Sequence, residues 1–215
     1  MTILNVKTAR AIWLVDSRDL NPRGIDIIPV IEAIKVRYNF QVCPPKSEEP
    51  NETDPKGIVF QNGSFATGTG RYTIAKATMY ADGIVVDSAL STDFSEAFLA
   101  DALTFLSSQF GFTYRPDMIH TKIFTSELIV RPEKDLSKFF SPLDAVNRKL
   151  NALTGLHYHP FGIAFADDKT TAGSPAPFKF EREVGKPSQQ RRYYSSAPIR
   201  TADHEDLLTE LESLL

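Results

Sequence analysis

His157 and His159 stand two residues apart and are the best-placed pair of metal-binding side chains in the sequence. On an extended strand, alternate side chains point to the same side, so both imidazole rings can reach one ion. Asp167 and Asp168 follow in the chain and can supply oxygen ligands. These four residues are the hypothesis for a metal-dependent hydrolase or nuclease. The simpler interpretation is a loop whose histidines form local hydrogen bonds before Pro160.

The other nucleophiles and bases lack the partners that an active site needs. Cys43 has no histidine near it in the sequence, and a buried structural thiol explains it more simply. Ser195 and Ser196 lack the Gly-x-Ser-x-Gly setting of hydrolases. His120 precedes a predicted strand and His204 lies near a predicted helix start, so we assign both to surface or capping positions. We therefore name no catalytic residue and no cofactor.

A polar segment follows the first apolar run of the chain and contains Asp16, Arg18, Asp19 and Arg23. Many α/β proteins place ligands where a strand leads through a loop into a helix. The glycine pattern of a phosphate-binding loop is missing, because only Gly24 is present. A solvated connection is therefore the favoured interpretation, and a ligand site is the alternative.

A basic and aromatic patch is formed by Arg191, Arg192, Tyr193 and Tyr194. Arginine can pair with phosphates and tyrosine can stack on bases, so a nucleic-acid-binding accessory subunit is one hypothesis. The acidic balance of the whole chain and the lack of a recognised nucleic-acid fold motif argue against it. Arginine and tyrosine are also enriched at protein interfaces, which explains the same patch with fewer assumptions.

The elements that position these residues are organised around a predicted hairpin. Residues 72–81 alternate in the period-2 pattern of a strand, and residues 84–86 are a β-branched run. Asp82-Gly83 between them predicts a type I′ turn, which needs a positive φ at both central residues. One face of the first strand carries large rings and the other small side chains, so we expect a helix to cover the small face.

A long amphipathic helix is predicted over residues 93–110. Asp93 is the expected N-cap, Glu96 stands in the capping-box position, and Gly111 can end the helix in a left-handed conformation. Apolar residues recur at helical spacing, which predicts that this face packs into the core. They are Phe94, Phe98, Leu99, Ala102, Leu103, Phe105, Leu106 and Phe110.

Shorter elements are predicted on either side of this pair. Before it come a strand over 11–15, a helix over 25–38 capped by Asp26, a strand over 40–43 and a hairpin of 57–60 and 64–67 around Asn62-Gly63. After it come a strand over 122–130, a helix over 142–153 capped by Ser141 and a strand over 161–166. Together they predict an α+β protein, with a mainly antiparallel sheet and helices packed on one face.

Composition narrows the classes of function. The chain is 42% hydrophobic and 24% charged, as in ordinary globular domains, and its net charge of −3 gives no field that attracts nucleic acid or anionic lipid. No apolar run is long enough for a membrane span, and the N-terminus lacks the apolar core of a signal peptide. The single cysteine excludes an internal disulfide, so we expect a reducing, cytoplasmic location and no membrane.

The C-terminal region changes character. Residues 169–200 hold seven basic and two acidic residues, and residues 178–183 alternate like an edge strand. From Thr201 onward there are five acidic residues and no basic one, with leucines at helical spacing. We therefore divide the chain into a globular domain, 1–168, with an exposed proline-rich loop at 44–57, and an extended basic arm, 169–215, that ends in an acidic amphipathic helix.

These patterns predict a non-enzymatic interaction or scaffold subunit of an intracellular multiprotein assembly, which binds a protein partner or a second copy through its C-terminal arm. The partner-binding residues are then Arg191, Arg192, Tyr193, Tyr194, Leu207, Leu208 and Leu211. Two alternatives stay open. One is the metal-dependent hydrolase or nuclease built on the two histidines and two aspartates, and the other is the nucleic-acid-binding subunit.

Overall fold

The structure is a computed structural model, and it describes residues 1–44, 57–168 and 175–214. The strands are β1 (Thr2–Leu14), β2 (Ile58–Thr67), β3 (Gly70–Tyr80), β4 (Gly83–Ser88), β5 (Thr121–Arg131), β6 (Gly162–Phe165), β7 (Phe178–Arg182) and β8 (Tyr193–Ala197). The helices are α1 (Ser17–Leu20), α2 (Ile27–Tyr38), α3 (Thr92–Phe110), α4 (Asp144–Thr154) and α5 (Thr201–Ser213). Short 3-10 turns occur at Pro116–Met118, Leu136–Leu143 and Ser188–Gln190. Most of the predicted proline-rich loop, residues 45–56, lies outside the described residues.

The strands form one eight-stranded sheet in the order β2-β3-β4-β1-β5-β8-β7-β6. The pairs β1–β4, β2–β3, β3–β4, β6–β7 and β7–β8 are all antiparallel. The α+β class with a mainly antiparallel sheet is therefore confirmed. The prediction of an edge strand at 178–183 is wrong, because β7 lies between β8 and β6.

The chain divides into two compact units. The large unit contains Thr8–Ser126 and Ile199–Thr201, and the small unit contains Met1–Lys7, Glu127–Pro198 and Ala202–Leu215. The predicted boundary between residues 168 and 169 does not coincide with this division. The physical reason is that β7 and β8, which fall in the predicted arm, are hydrogen-bonded strands of the sheet.

Helix α3 supplies much of the core of the large unit. Phe94, Phe98, Leu99, Leu103 and Leu106 are all buried, as their helical spacing predicts. Gly111 ends the helix with φ of 74°, which confirms its predicted left-handed conformation.

The predicted N-cap of this helix is wrong. Ser91 caps α3, because its Oγ accepts a hydrogen bond from the Phe94 N–H at 3.1 Å. The Asp93 carboxylate is instead bound by the guanidinium of Arg200. Glu96 does not complete a capping box either, since its carboxylate pairs with Lys122 and Arg200.

The predicted hairpin is confirmed as β3 and β4, but its turn and its faces differ from the prediction. Tyr80 pairs with Gly83, so the two turn residues are Ala81 and Asp82, and neither has the positive φ of a type I′ turn. Gly83 serves another purpose, because a Cβ there would stand 2.8 Å from the Trp13 carbonyl oxygen.

A break in the register of β3 explains the mixed faces of this strand. The pairing of β3 with β4 shifts between Ile74 and Lys76, which is a bulge. Tyr72 and Ile74 before the bulge and Ala77 and Met79 after it all pack in the core. The side chains that face the core are therefore not the uniformly small set that strict alternation predicts.

Two other local predictions need correction. Residues 40–43 form only an isolated bridge between Val42 and Gln61, so the predicted strand is absent from this described segment. Residues 58–67 form one continuous strand, in which Asn62 takes a φ of 55° without reversing the chain. By contrast, Asp26 caps α2 as predicted, because its Oδ1 accepts from the Ile28 N–H at 3.0 Å.

The small unit has its own core. Its buried apolar residues are Leu128, Val130, Leu136, Phe180 and Leu208. Helix α5 contributes Leu208 from its middle, while β5 contributes Leu128 and Val130. This core positions the surfaces described next.

Candidate interaction surface

Helix α4 presents an apolar stripe that its own unit does not bury. Leu143, Val146, Leu150 and Leu153 recur at spacings of 3, 4 and 3 residues, so they lie along one side of the helix. We call this set the α4 stripe. Among the described residues α4 has no buried member, and the exposed fractions of Val146 and Leu153 are 65% and 76%. A stripe of this kind is normally the face that packs into a core.

Local sequence explains where α4 begins and ends. Pro142 lies within the preceding 3-10 turn, and α4 begins only at Asp144 without a side-chain cap. The predicted cap is wrong, because the Ser141 hydroxyl donates to the Lys138 carbonyl instead. Gly155 ends the helix with φ of 68°. The exposed apolar character continues beyond the helix at Leu156 and Phe161.

A second apolar feature of the small unit lies along α5. A cavity of about 420 Å³ is lined by Phe165, Phe178, Leu207, Glu210, Leu211 and Leu214. We call it the α5 groove. The ring centroids of Phe165 and Phe178 are 5.9 Å apart at its wall, and Glu210 is the one ionisable side chain among the described residues that line it. The groove therefore suits an apolar side chain with a basic neighbour.

The structure separates the three leucines that were predicted to bind a partner. Leu207 and Leu211 line the α5 groove. Leu208 points to the opposite side, is 0% exposed and packs in the core of the small unit. Leu208 is therefore a core residue, since a partner cannot reach a side chain that its own unit covers.

The predicted basic and aromatic patch does not form one surface. The ring of Tyr193 stacks on Phe180 with centroids 4.8 Å apart, while Tyr194 follows it on β8 and so points to the other face of the sheet. Nε and Nη2 of Arg192 donate to the carboxylate of Glu183. Arg191 is exposed and takes a φ of 49°. Arg191 is thus accessible to a ligand and Arg192 is partly engaged by Glu183, whereas the rings of Tyr193 and Tyr194 do not form one surface on which bases could stack.

A buried serine–histidine pair emerges that the sequence spacing does not reveal. Ser195 Oγ and His204 Nε2 lie 2.8 Å apart, and both residues are 0% exposed. The hydroxyl of Ser195 donates its proton to the Lys179 carbonyl at 2.9 Å, so His204 Nε2 must be the donor toward Ser195. A nucleophilic serine has to donate to the histidine instead. Because both side chains are inaccessible to water, we interpret the pair as a structural contact of α5 with β8, and the prediction that His204 is a surface or capping residue is wrong.

The described residues do not support the metal-dependent hydrolase hypothesis, because they contain no set of metal ligands. Within residues 1–44, 57–168 and 175–214, no group of three or more His, Cys, Asp or Glu side chains is placed to hold a metal ion together. His157 and His159 lie in an exposed segment between α4 and β6, and Asp167 and Asp168 lie just after β6. The four residues are thus not brought together as the spacing argument requires.

The polar segment after β1 borders an open cavity of about 610 Å³. Asp16 caps the short helix α1 and pairs with Arg18 at 2.6 Å. Hydrogen bonds from the side chain and the backbone N–H of Arg18 lower the pKa of Asp16 to about 2. The structure adds Asp82 and His120 to the cavity wall. Because Asp16 and Arg18 satisfy each other in solvent, this segment supports the interpretation as a solvated connection.

Comparison with protein-family models finds no match, and comparison with curated proteins finds none either. Among the described residues, no helix is both long and apolar enough to cross a membrane. The α4 stripe and the α5 groove are the features from which a function can be argued.

Proposed function

We propose that the protein is a non-enzymatic interaction subunit that assembles with further copies of itself. The α4 stripe of one copy docks in the α5 groove of another. The observation that carries this proposal is the exposure of an entire helical apolar stripe, with Val146 and Leu153 mostly accessible to water. Burying one large apolar side chain contributes roughly 1.5–3 kcal/mol, so a stripe of this size favours association.

Charge complementarity supports a second copy as the occupant of the groove. Helix α4 carries Arg148 and Lys149 against one acidic residue, Asp144. Helix α5 carries five acidic residues and no basic one, and Glu210 lies in the groove itself. Lys149 stands next to Leu150 of the stripe, where it can meet a carboxylate at the rim of the groove. Opposite charges of this kind set the register of an interface and exclude wrong partners.

The dimensions of the two surfaces also agree. Helix α4 has 11 residues and is about 16 Å long, at about 1.5 Å per residue. The groove follows α5 from Leu207 to Leu214, a span of about 11 Å by the same geometry. Two turns of the stripe can therefore lie along the groove. The stripe and the groove are different patches of the same chain. Copies joined in this way form a reciprocal dimer or a closed ring, or else an open filament.

We place this assembly in the cytoplasm. Cys43 is the only cysteine of the chain, so no internal disulfide is available for an oxidising environment. Burial raises the pKa of its thiol, which makes Cys43 less reactive than a free thiol.

Light scattering of the full chain tests the proposal. We expect the native mass to exceed the 24.0 kDa of one chain and to rise with protein concentration. The variant Leu153→Glu places a charge in the stripe and should remain a monomer. Val184→Glu is the matched control, because Val184 belongs to the same unit and is 80% exposed outside both surfaces. Circular dichroism verifies that both variants keep the wild-type helix content.

A charge exchange identifies the groove as the occupied surface. Lys149→Glu and Glu210→Lys should each weaken assembly, and the double variant should restore part of it, because the exchanged pair can form again. A wild-type chain that stays monomeric at every concentration overturns the proposal. So does a Leu153→Glu variant that assembles like the wild type.

A further inference from the structure

Three arginines that are distant in sequence converge on one cavity of the small unit. The cavity measures about 450 Å³ and is lined by Leu4, Arg131, Gln189, Gln190, Arg191 and Arg192. Arg131 ends strand β5, whereas the other arginines precede β8. The sequence shows only the adjacent pair, because Arg131 reaches the cavity wall through the fold of the sheet. We call this cavity the arginine pocket.

Positive charge in the arginine pocket exceeds negative charge. Arginine remains protonated in proteins, so the three guanidinium groups are permanent charges. Of the residues that the structure describes, no aspartate or glutamate lines the cavity, and the carboxylate of Glu183 pairs with Arg192. Among the described residues, the guanidinium of Arg131 makes no hydrogen bond or ion pair, and that of Arg191 donates only to the Glu133 carbonyl at 3.3 Å.

The donors of the pocket match the oxygens of a phosphate group. Glu183 occupies Nε and Nη2 of Arg192, which holds the guanidinium in place and leaves Nη1 free to point elsewhere. Each arginine presents a planar fork of N–H donors, and the amides of Gln189 and Gln190 add further donors. Forked, charge-assisted donors are the usual means of binding phosphate oxygens.

The backbone at the pocket supports a ligand-binding role. Arg191 has a φ of 49°, in the left-handed region that residues other than glycine seldom adopt. The turn that contains it is held by hydrogen bonds from the Gln190 N–H to the Pro187 carbonyl and from the Glu183 N–H to the Arg192 carbonyl. Strained residues of this kind cluster at ligand sites.

We infer that the arginine pocket binds a small phosphate-bearing anion. A single-stranded nucleic acid fits less well, because base stacking needs free aromatic rings and the ring of Tyr193 is already stacked on Phe180. The net charge of −3 likewise gives no overall field that attracts a phosphate backbone. This site is separate from the α4 stripe and the α5 groove, so it does not depend on the proposed self-assembly.

Calorimetric titration of the full chain with pyrophosphate and with inorganic phosphate, at low ionic strength, tests this inference. We expect saturable binding of pyrophosphate. Arg131→Gln and Arg191→Gln should each weaken it about tenfold, the effect of losing one charge-assisted hydrogen-bond pair. Arg71→Gln is the matched control, since Arg71 is exposed on β3 of the large unit, and it should bind like the wild type.

Two further measurements keep the result unambiguous. Arg131→Lys retains the charge but loses the fork, so it should bind more weakly than the wild type and more tightly than Arg131→Gln. Thermal unfolding verifies that each variant folds. Absence of saturable pyrophosphate binding by the folded wild type overturns the inference, as does unchanged binding by Arg131→Gln. Binding of a single-stranded oligonucleotide alone, with a steep salt dependence, also overturns it and assigns the pocket to nucleic acid.

Discussion

Helices α3 and α4 carry apolar stripes of the same period, yet one is buried and the other is exposed. In α3, Phe98 and Leu103 are almost inaccessible to water, whereas in α4 the corresponding stripe residues Val146 and Leu153 remain mostly exposed. The two helices also differ at their starts, because Ser91 caps α3 and no side chain caps α4. Periodicity therefore predicts which side of a helix is apolar, but not what covers it.

The largest expected difference between the helices is in their contribution to stability. Phe98→Ala should lower the free energy of unfolding by about 3–5 kcal/mol, because it leaves a cavity among the rings of Tyr38, Phe40 and Phe65. Leu153→Ala should change it by less than about 0.5 kcal/mol in the monomer, because the site is exposed. Denaturant unfolding at low protein concentration measures both. A large loss for Leu153→Ala shows that α4 is packed in the monomer.

A smaller effect is expected from the ion pairs at the start of α3. Burial opposes ionisation of Glu96, but the pairs with Lys122 and Arg200 outweigh it and lower the pKa of its carboxyl. Since the folded-state pKa is lowered, this stabilisation is present above the ordinary glutamate pKa and is lost as the pH falls through the folded-state value. Glu96→Gln should therefore reduce stability by about 1–2 kcal/mol at neutral pH and by less in acid.

Unfolding curves of wild type and Glu96→Gln at neutral and acidic pH check this prediction. Asp144→Asn in the first turn of α4 is the control, because the structure shows no such pair of cations around an exposed Asp144 among its described residues. Equal pH profiles for wild type and Glu96→Gln contradict the prediction.

The two candidate caps give a third comparison. Ser91→Ala should lower the free energy of unfolding by about 1 kcal/mol, because it removes the acceptor for the Phe94 N–H. Ser141→Ala should have an effect within about 0.5 kcal/mol, because the Ser141 hydroxyl donates to a carbonyl at an exposed position. Denaturant unfolding of the two variants measures this difference. A reversed order restores Ser141 as the cap of α4.

The smallest expected effect links α4 to assembly. If a second copy covers the α4 stripe, the unfolding temperature of the wild type should rise by a few degrees as protein concentration increases, because association stabilises the folded chain. Leu153→Glu should show no such dependence. Thermal unfolding over a wide concentration range measures it, and an unfolding temperature independent of concentration for the wild type contradicts the association.

The sequence predicted helix caps correctly where the capping residue and the group it bonds lie within one helical turn of each other. Asp26 and the Ile28 N–H are two residues apart, and Gly111 directly follows α3, so the sequence carries both signals. The N-cap of α3 was missed for a non-local reason. Ser91 and Asp93 are both good capping residues, and Arg200 binds the Asp93 carboxylate from a distant part of the chain.

The candidate sites depended still more on tertiary structure. The sequence identified Leu207 and Leu211, which line the α5 groove, and Arg191 and Arg192, which line the arginine pocket. It gave no signal for Arg131, because strand pairing brings this residue to the pocket. The exposure of the α4 stripe was equally hidden, since an apolar stripe at this spacing most often packs into a core.

By itself, the sequence determined the α+β class, helices α2 to α5 and the hairpin of β3 and β4, because residue periodicity acts over a few residues. The tertiary structure alone decided the bulge in β3, the burial of Ser195 with His204, the exposure of α4 and the meeting of three arginines. These outcomes depend on contacts between residues far apart in the chain. The free energy of such a contact depends on which two surfaces meet in the folded chain, and no short segment of sequence contains that information.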